Sequence, residues 1–309
     1  MEYIITFINI IFLIILPFIT LGIINKTKAF WGGRKGASIF QPLYDFLKLL
    51  KKESVISADT TILFKIAPII LLATTIFAGL FIPMATGKAV IETNCGFIIF
   101  AYILGLGKFL SIIAAMDTGS SFEGMGASRE ACFTTLVEPA FFVLMASIGV
   151  ITGNLSFVGF SELFKSTGIY EYLIIGLCIF ALLIMILTEC CRVPVDDPNT
   201  HLELTMIHEV MVLDNSGIDL AIITWATGIK MILLSSLIAN LLIPQEINII
   251  LSIFLYFAII IVIGIIIGTI ESAVARLRMF HVFEFVFAMT PLALVALSIA
   301  AISLFGGNV

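Results

Sequence analysis

Charge is what this chain has least of. Asp, Glu, Lys and Arg make up 12% of its 309 residues, about half the ~25% usual for a soluble globular domain, and that scarcity excludes a water-filled surface over most of the chain. Histidine is rare, with three residues, and there is no H-E-x-x-H. The five cysteines, Cys95, Cys132, Cys178, Cys190 and Cys191, show neither a C-x-x-C pair nor the Cys/His spacing that holds zinc or an iron–sulfur cluster. Any redox centre is therefore expected in another subunit, and Cys190–Cys191 reads as two small residues at a helix interface. A net charge of -5 gives no reason to expect nucleic acid. The first apolar run follows Glu2 directly and continues through Phe18 to Ile24 without a basic leader, so it reads as a retained first helix, kinked at Pro17. Internal repeats are missing too, which counts against a self-sufficient transporter built from inverted halves.

What is present is hydrophobicity, 61% of the residues. Apolar runs at about 3–24, 62–83, 96–116, 131–151, 170–188, 219–243, 248–270 and 285–305 are each long enough to cross ~30 Å of hydrocarbon. The expected fold is all-α: one integral membrane domain over 1–309, with about eight transmembrane helices plus amphipathic helices on the cytoplasmic side. Eleven of the sixteen basic residues fall in loops on one face (about 25–61, 117–130, 189–218 and 271–284), Lys65 just past the first of these loops makes twelve on that side, and two, Lys88 and Lys165, lie on the other. By the positive-inside rule the first face is cytoplasmic and both termini lie outside.

Three of the cytoplasmic loops are patterned. From Ser38 onward Ile39, Leu43, Phe46, Leu47 and Leu50 recur at helical spacing, with Gln41, Asp45, Lys48 and Lys52 opposite. Ser38 and Gln41 fit a capping box, and Pro42 falls in the first turn. Such a helix rests at the membrane interface and either binds anionic lipid or, with Arg34, Lys35, Gln41, Asp45 and Lys48, docks a soluble partner. The segment 189–219 carries seven acids against one base, Arg192. Thr200 and Glu203 make a second capping box, a structural job for Glu203 that competes with proton transfer. On that helix His201, Thr205, His208 and Glu209 share a face. His201 and His208 stand roughly 10 Å apart by helix rise, too far for one metal ion. Arg192, Asp196, Asp197, His201 and His208 are the docking candidates here.

Lys108, Glu138 and Lys230 interrupt apolar runs, where a charge costs ~2.5–3.5 kcal/mol on the mildest insertion scale. Lys108 and Glu138 fall at matching depth, roughly 10–12 Å by helix rise, which suggests an ion pair between them, either a static one or part of a relay. With Glu189, Glu203, Glu209, Asp117 and Asp214 they form the candidate ion-translocation set.

The segments GRKGASIFQPLYDFLKLLKKE (33–53), GMGASREACFTTLVEPAFF (124–142) and ECCRVPVDDPNTHLELTMIHEVMVLDNSG (189–217) together resemble one family. It is the eight-helix subunit that joins the two arms of respiratory complex I, and more closely its counterpart in group 4 membrane-bound NiFe hydrogenases and formate hydrogenlyase. The resemblance implies a subunit without a catalytic centre or cofactor of its own. It would hold a NiFe-bearing large subunit, a small iron–sulfur subunit and a ferredoxin-like iron–sulfur subunit against a prokaryotic cell membrane. Redox chemistry there would be coupled to H⁺ or Na⁺ movement through antiporter-like membrane subunits. Glu138 then matches the buried acid of the fourth helix, and Glu189, Glu203 and Glu209 the acids of the third loop. Val195-Asp196-Asp197-Pro198 and His201-Leu202-Glu203-Leu204 depart from the complex I pattern towards the hydrogenase branch. The alternative implied by the same likeness is a quinone-site subunit of complex I.

Overall fold

A segment crossing lipid must satisfy its own backbone hydrogen bonds, which leaves the helix as the form open to runs of this length. The computed structural model describes residues 2–57, 59–85, 87–157, 160, 169–197, 206–244 and 247–306, and these form helices and no strand. In chain order they are α1 (Glu2–Trp31), α2 (Gln41–Leu49), α3 (Ile62–Gly79), α4 (Gly96–Asp117), α5 (Ser121–Thr152), α6 (Ile169–Glu189), α7 (His208–Met211), α8 (Gly217–Leu242), α9 (Ile249–Ala273), α10 (Met279–Phe287) and α11 (Met289–Gly306). Among the described residues eight helices are long and apolar enough to span a membrane, α10 and α11 counting as one, and they fall on the eight apolar runs.

Helix α8 is the central post. From Ile229 to Ala239 every residue except Lys230 is buried, the all-round burial expected of a helix enclosed by its neighbours. Helices α1, α3, α6 and α9 pack around it. The α1–α9 seam depends on Gly264 and Gly268, a small-xxx-small pair of the kind that lets membrane helices approach closely. A Cβ at Gly268 would stand 2.8 Å from Thr27 Cβ and 3.0 Å from the Ile24 carbonyl oxygen.

Two expectations about helix boundaries are corrected. The loop expected over 117–130 shrinks to Thr118–Ser120, because α5 starts at Ser121. Its first turns contain Glu123, Arg129 and Glu130 and look too polar for a span, yet tertiary contacts hold them helical. Gly126 lies so close to the third loop that an added Cβ would stand 2.9 Å from Ile207 O. Arg129 donates to Met206 O at 2.7 Å, and the Asp214 amide donates to Glu123 Oε1 at 2.9 Å. The second correction concerns α2. Its N-cap is Phe40, without a side-chain cap, so the Ser38–Gln41 box does not form. The Gln41 side chain instead donates from Nε2 to Asp45 Oδ1 at 2.9 Å, one turn on.

The amphipathic reading of α2 does match the structure. Phe46 packs its ring against Phe18 of α1 and Trp225 of α8, with centroids 5.2 and 5.3 Å away, while Asp45 and Lys48 are exposed, as are Arg34 and Lys35 before the helix. The Thr200–Glu203 box, His201, Glu203 and Thr205 lie outside the described residues.

Candidate ion-transfer site

Four helices bring two lysines and two glutamates together towards the end of the bundle that carries α2 and α7. Lys108 Nζ of α4 lies 2.9 Å from Glu130 Oε1 of α5 and 2.7 Å from Glu189 Oε1, the last residue of α6. The other oxygen of Glu189 takes Lys230 Nζ of α8 at 3.1 Å. Two ammonium and two carboxylate groups make the cluster neutral, which is what makes its burial tolerable. Desolvating one ion costs several kcal/mol, and mutual attraction repays that only when each charge has a well-placed partner. Glu189 is the hub, holding one lysine on each oxygen, with its side chain 9% exposed.

The expected Lys108–Glu138 pair is thus replaced. Lys108 reaches Glu130, two turns nearer the start of α5, and Glu189. Glu138 is exposed on the outside of the single chain and points at Gly105 of α4, where an added Cβ would be 3.5 Å from Glu138 Oε1. It still faces the same space. A cavity of ≈ 60 Å³ is lined by Lys108, Glu130, Glu138, Glu189, Lys230 and His208 on an otherwise largely apolar wall, and it has room for a few waters held by those polar groups. Outside it an open groove of ≈ 470 Å³ runs between α4 and α5. Lys108 and Glu138 line both spaces, with Ala101, Gly105 and Phe142, and are the charged part of the wall between them. Pro139, next to Glu138, lacks an N–H and leaves the Thr135 carbonyl without its helical donor.

Other candidate residues sit elsewhere. Asp117 accepts from both the amide and the hydroxyl of Thr61, at 2.7 and 2.8 Å, and so fastens the end of α4 to the start of α3. Asp214 is exposed, and its amide rather than its carboxylate joins Glu123. Asp196, expected on a docking surface, is 1% exposed. Its carboxylate accepts the amides of Ile207 and His208 at 2.9 and 3.1 Å and pairs with Arg276 at 2.9 Å. Arg192, expected beside it, turns inward to Glu271 of α9 at 3.4 Å, which also holds Lys28 of α1 at 2.7 Å. A loop rich in acids cannot leave them all at the surface, because its buried amides and arginines need anionic partners. Asp197 is half-buried, and Glu209 and His208 line a third space of ≈ 160 Å³ under the loop. Among the described residues no group of three or more His, Cys, Asp or Glu side chains is arranged to hold a metal ion.

Glu130 and Glu123 were not among the expected site residues, though a signal pointed to them. Leu144, Val137, Glu130 and Glu123 follow one another at seven-residue intervals, and all four are buried. Extending the heptad back from the apolar run puts both acids on the inward face.

Charged groups set among apolar helices, with a cavity between them, mark a functional site by default. Residues 3–301 match the family described as NADH dehydrogenase. The chain belongs to the NADH dehydrogenase family. Within reach of this family member is hydrogenase-4 component C of Escherichia coli (strain K12), 27% identical over 238 residues that cover 76% of this chain and 73% of that protein. Formate hydrogenlyase subunit 4 of the same organism is 22% identical over 223 residues, 72% of each chain. Among solved structures, a chain of the membrane-bound sulfane sulfur reductase, an archaeal respiratory membrane complex, shares the fold with a TM-score of 0.82 at 20% identity, covering 97% of this chain and 99% of that one.

Proposed function

We propose that this chain is the membrane-anchor and coupling subunit of an energy-converting, complex I-related NiFe hydrogenase. The observation that carries the reading is the neutral Lys108–Glu130–Glu189–Lys230 cluster, opening past Glu138 to a groove on the membrane-facing side. The likeness to hydrogenase-4 component C and formate hydrogenlyase subunit 4 favours the hydrogenase branch.

Electrostatics supply the coupling. A lysine about 4 Å from a carboxylate is stabilised by roughly 4 kcal/mol at an effective dielectric of 20. A proton arriving on Glu189 or Glu130 removes that stabilisation from one or both lysines, and the excess positive charge is pushed towards Glu138 and the groove. An antiporter-like membrane subunit on the groove would receive it. The cytoplasmic face, with Arg34, Lys35, Asp45 and Lys48 exposed on and before α2, would carry the large, small and ferredoxin-like subunits that hold the NiFe centre and the iron–sulfur clusters.

Purification in mild detergent tests the assignment. Nickel- and iron–sulfur-bearing subunits are expected to accompany the chain. A complex free of nickel with quinone bound to it overturns the hydrogenase reading in favour of a complex I enzyme.

Orientation has its own test. Cys95 is exposed in the segment joining α3 to α4, on the face opposite α2. Cys178 is buried, and Cys132 is exposed but sits within the α5 span. Burial pushes the Cys190 thiol up to about 11 and the Cys191 thiol well above its ordinary value, so neither forms the reactive thiolate near neutral pH. A membrane-impermeant maleimide is expected to label Cys95 alone, from the outside of intact cells, with the signal lost in Cys95→Ser. Labelling confined to inverted vesicles overturns the outside placement of the termini.

A further inference from the structure

His208 stands where three spaces meet. The inner cavity of ≈ 60 Å³ holds the lysine–carboxylate cluster, a pocket of ≈ 20 Å³ lies against α3, and the ≈ 160 Å³ space lies under the third loop beside Cys190, Arg192 and Glu209. Among the described residues His208 is the one that lines all three. Its position is fixed from the backbone, because its amide donates to Asp196 Oδ2 at 3.1 Å at the start of α7. Its ring is half-buried and makes no hydrogen bond or ion pair with another described residue. Neither ring nitrogen is spent on another described residue, so both are free to bond water in the spaces that His208 lines.

We infer that His208 is the proton relay that joins the space under the third loop to the buried Lys108–Glu130–Glu189–Lys230 cluster. This rests on the coupling function proposed above and adds the way protons reach it. Imidazole suits the step because one ring nitrogen can accept a proton while the other gives one up. A proton from water in the loop space binds one nitrogen, and the N–H on the far side breaks as its proton passes to water in the inner cavity. From there it reaches Glu130 or Glu189. A turn of the ring restores the starting tautomer, and one proton has crossed with no change in electron count. Glu209 and Arg192 face the outer side of the relay. The amide bond to Asp196 holds the backbone of His208 in place while the ring turns.

The test uses the intact complex reconstituted in liposomes, reading protons moved per electron pair alongside redox turnover. His208→Gln preserves the volume and the backbone bond but cannot be protonated, and a drop of at least tenfold in protons per electron pair is expected. His208→Ala opens the path, and added imidazole is expected to restore translocation in it, a recovery that loss of packing alone would not give. Wild-type coupling in His208→Gln overturns the relay and leaves the coupling function standing. Lost coupling in both variants with no recovery in imidazole also overturns it, making the residue a packing element. A wild-type complex that moves sodium ions and no protons overturns the relay alone, and one that turns over while moving neither ion overturns the coupling reading and the relay with it.

Discussion

Glu189→Gln is expected to abolish ion translocation and to destabilise the subunit by roughly 3–5 kcal/mol, the cost of leaving a buried charge without its partner. Both carboxylate oxygens are engaged, one by Lys108 at 2.7 Å and one by Lys230 at 3.1 Å. Glutamine offers one oxygen and one NH2 group. Whichever way it turns, the NH2 faces an ammonium that can only donate, and the cluster gains a net positive charge in a low-dielectric site. The measurements are thermal unfolding of the purified complex and translocation in liposomes. A second substitution, Lys230→Met, removes the ammonium left without a partner and is expected to recover most of the stability while translocation stays below a tenth of wild type. That split separates structural loss from functional loss. If Glu189→Gln alone translocates normally, the cluster is a packing device and the coupling account fails.

Asp196→Asn comes second in expected effect and acts on the third loop rather than on the bundle. The carboxylate gathers the Ile207 and His208 amides on one oxygen and Arg276 on the other, with the Asp197 amide donating to Oδ1 at 3.0 Å. Hydrogen bonds to charged groups contribute about 1.5–3 kcal/mol each. Asparagine keeps one acceptor and sets its NH2 against either the amides or the guanidinium. The Ile207 and His208 amides are expected to exchange with solvent at least tenfold faster, and recovery of the peripheral subunits with this chain should fall by a similar factor. Unchanged exchange at those two amides would show that the loop is held by something else.

These expectations also mark where the sequence was legible. The spans could be read because lipid leaves each crossing segment one way to satisfy its backbone, so an apolar run of sufficient length carries its own fold. Lys108 and Lys230 stood out for the same reason, as charges where hydropathy forbids them. Glu130 did not, because it precedes the apolar run in a stretch with two glycines and an arginine, and what makes that stretch helical is contact with Met206, Ile207 and Asp214 more than seventy residues on. The pairing of Glu189 with Lys108 and Lys230, 81 and 41 residues away, follows from how α4, α6 and α8 close around one another. No local spacing encodes that. Matching depth suggested Glu138 as the partner of Lys108, but depth fixes height along the bundle and leaves the rotation of each helix open. Asp196 and Arg192 were read as surface residues because an acidic loop looks solvated, whereas here its charges satisfy each other inside.

Glu138 carries a consequence for how the protein is made. In a lone chain its carboxyl group looks out between α4 and α5, and a carboxyl group facing acyl chains is costly there whether charged or neutral. The newly inserted polypeptide is thus left incomplete by its own chemistry. If, as proposed, a membrane subunit covers this side, the two are expected to assemble together, and an orphaned copy would be a ready substrate for the cell's clearance machinery.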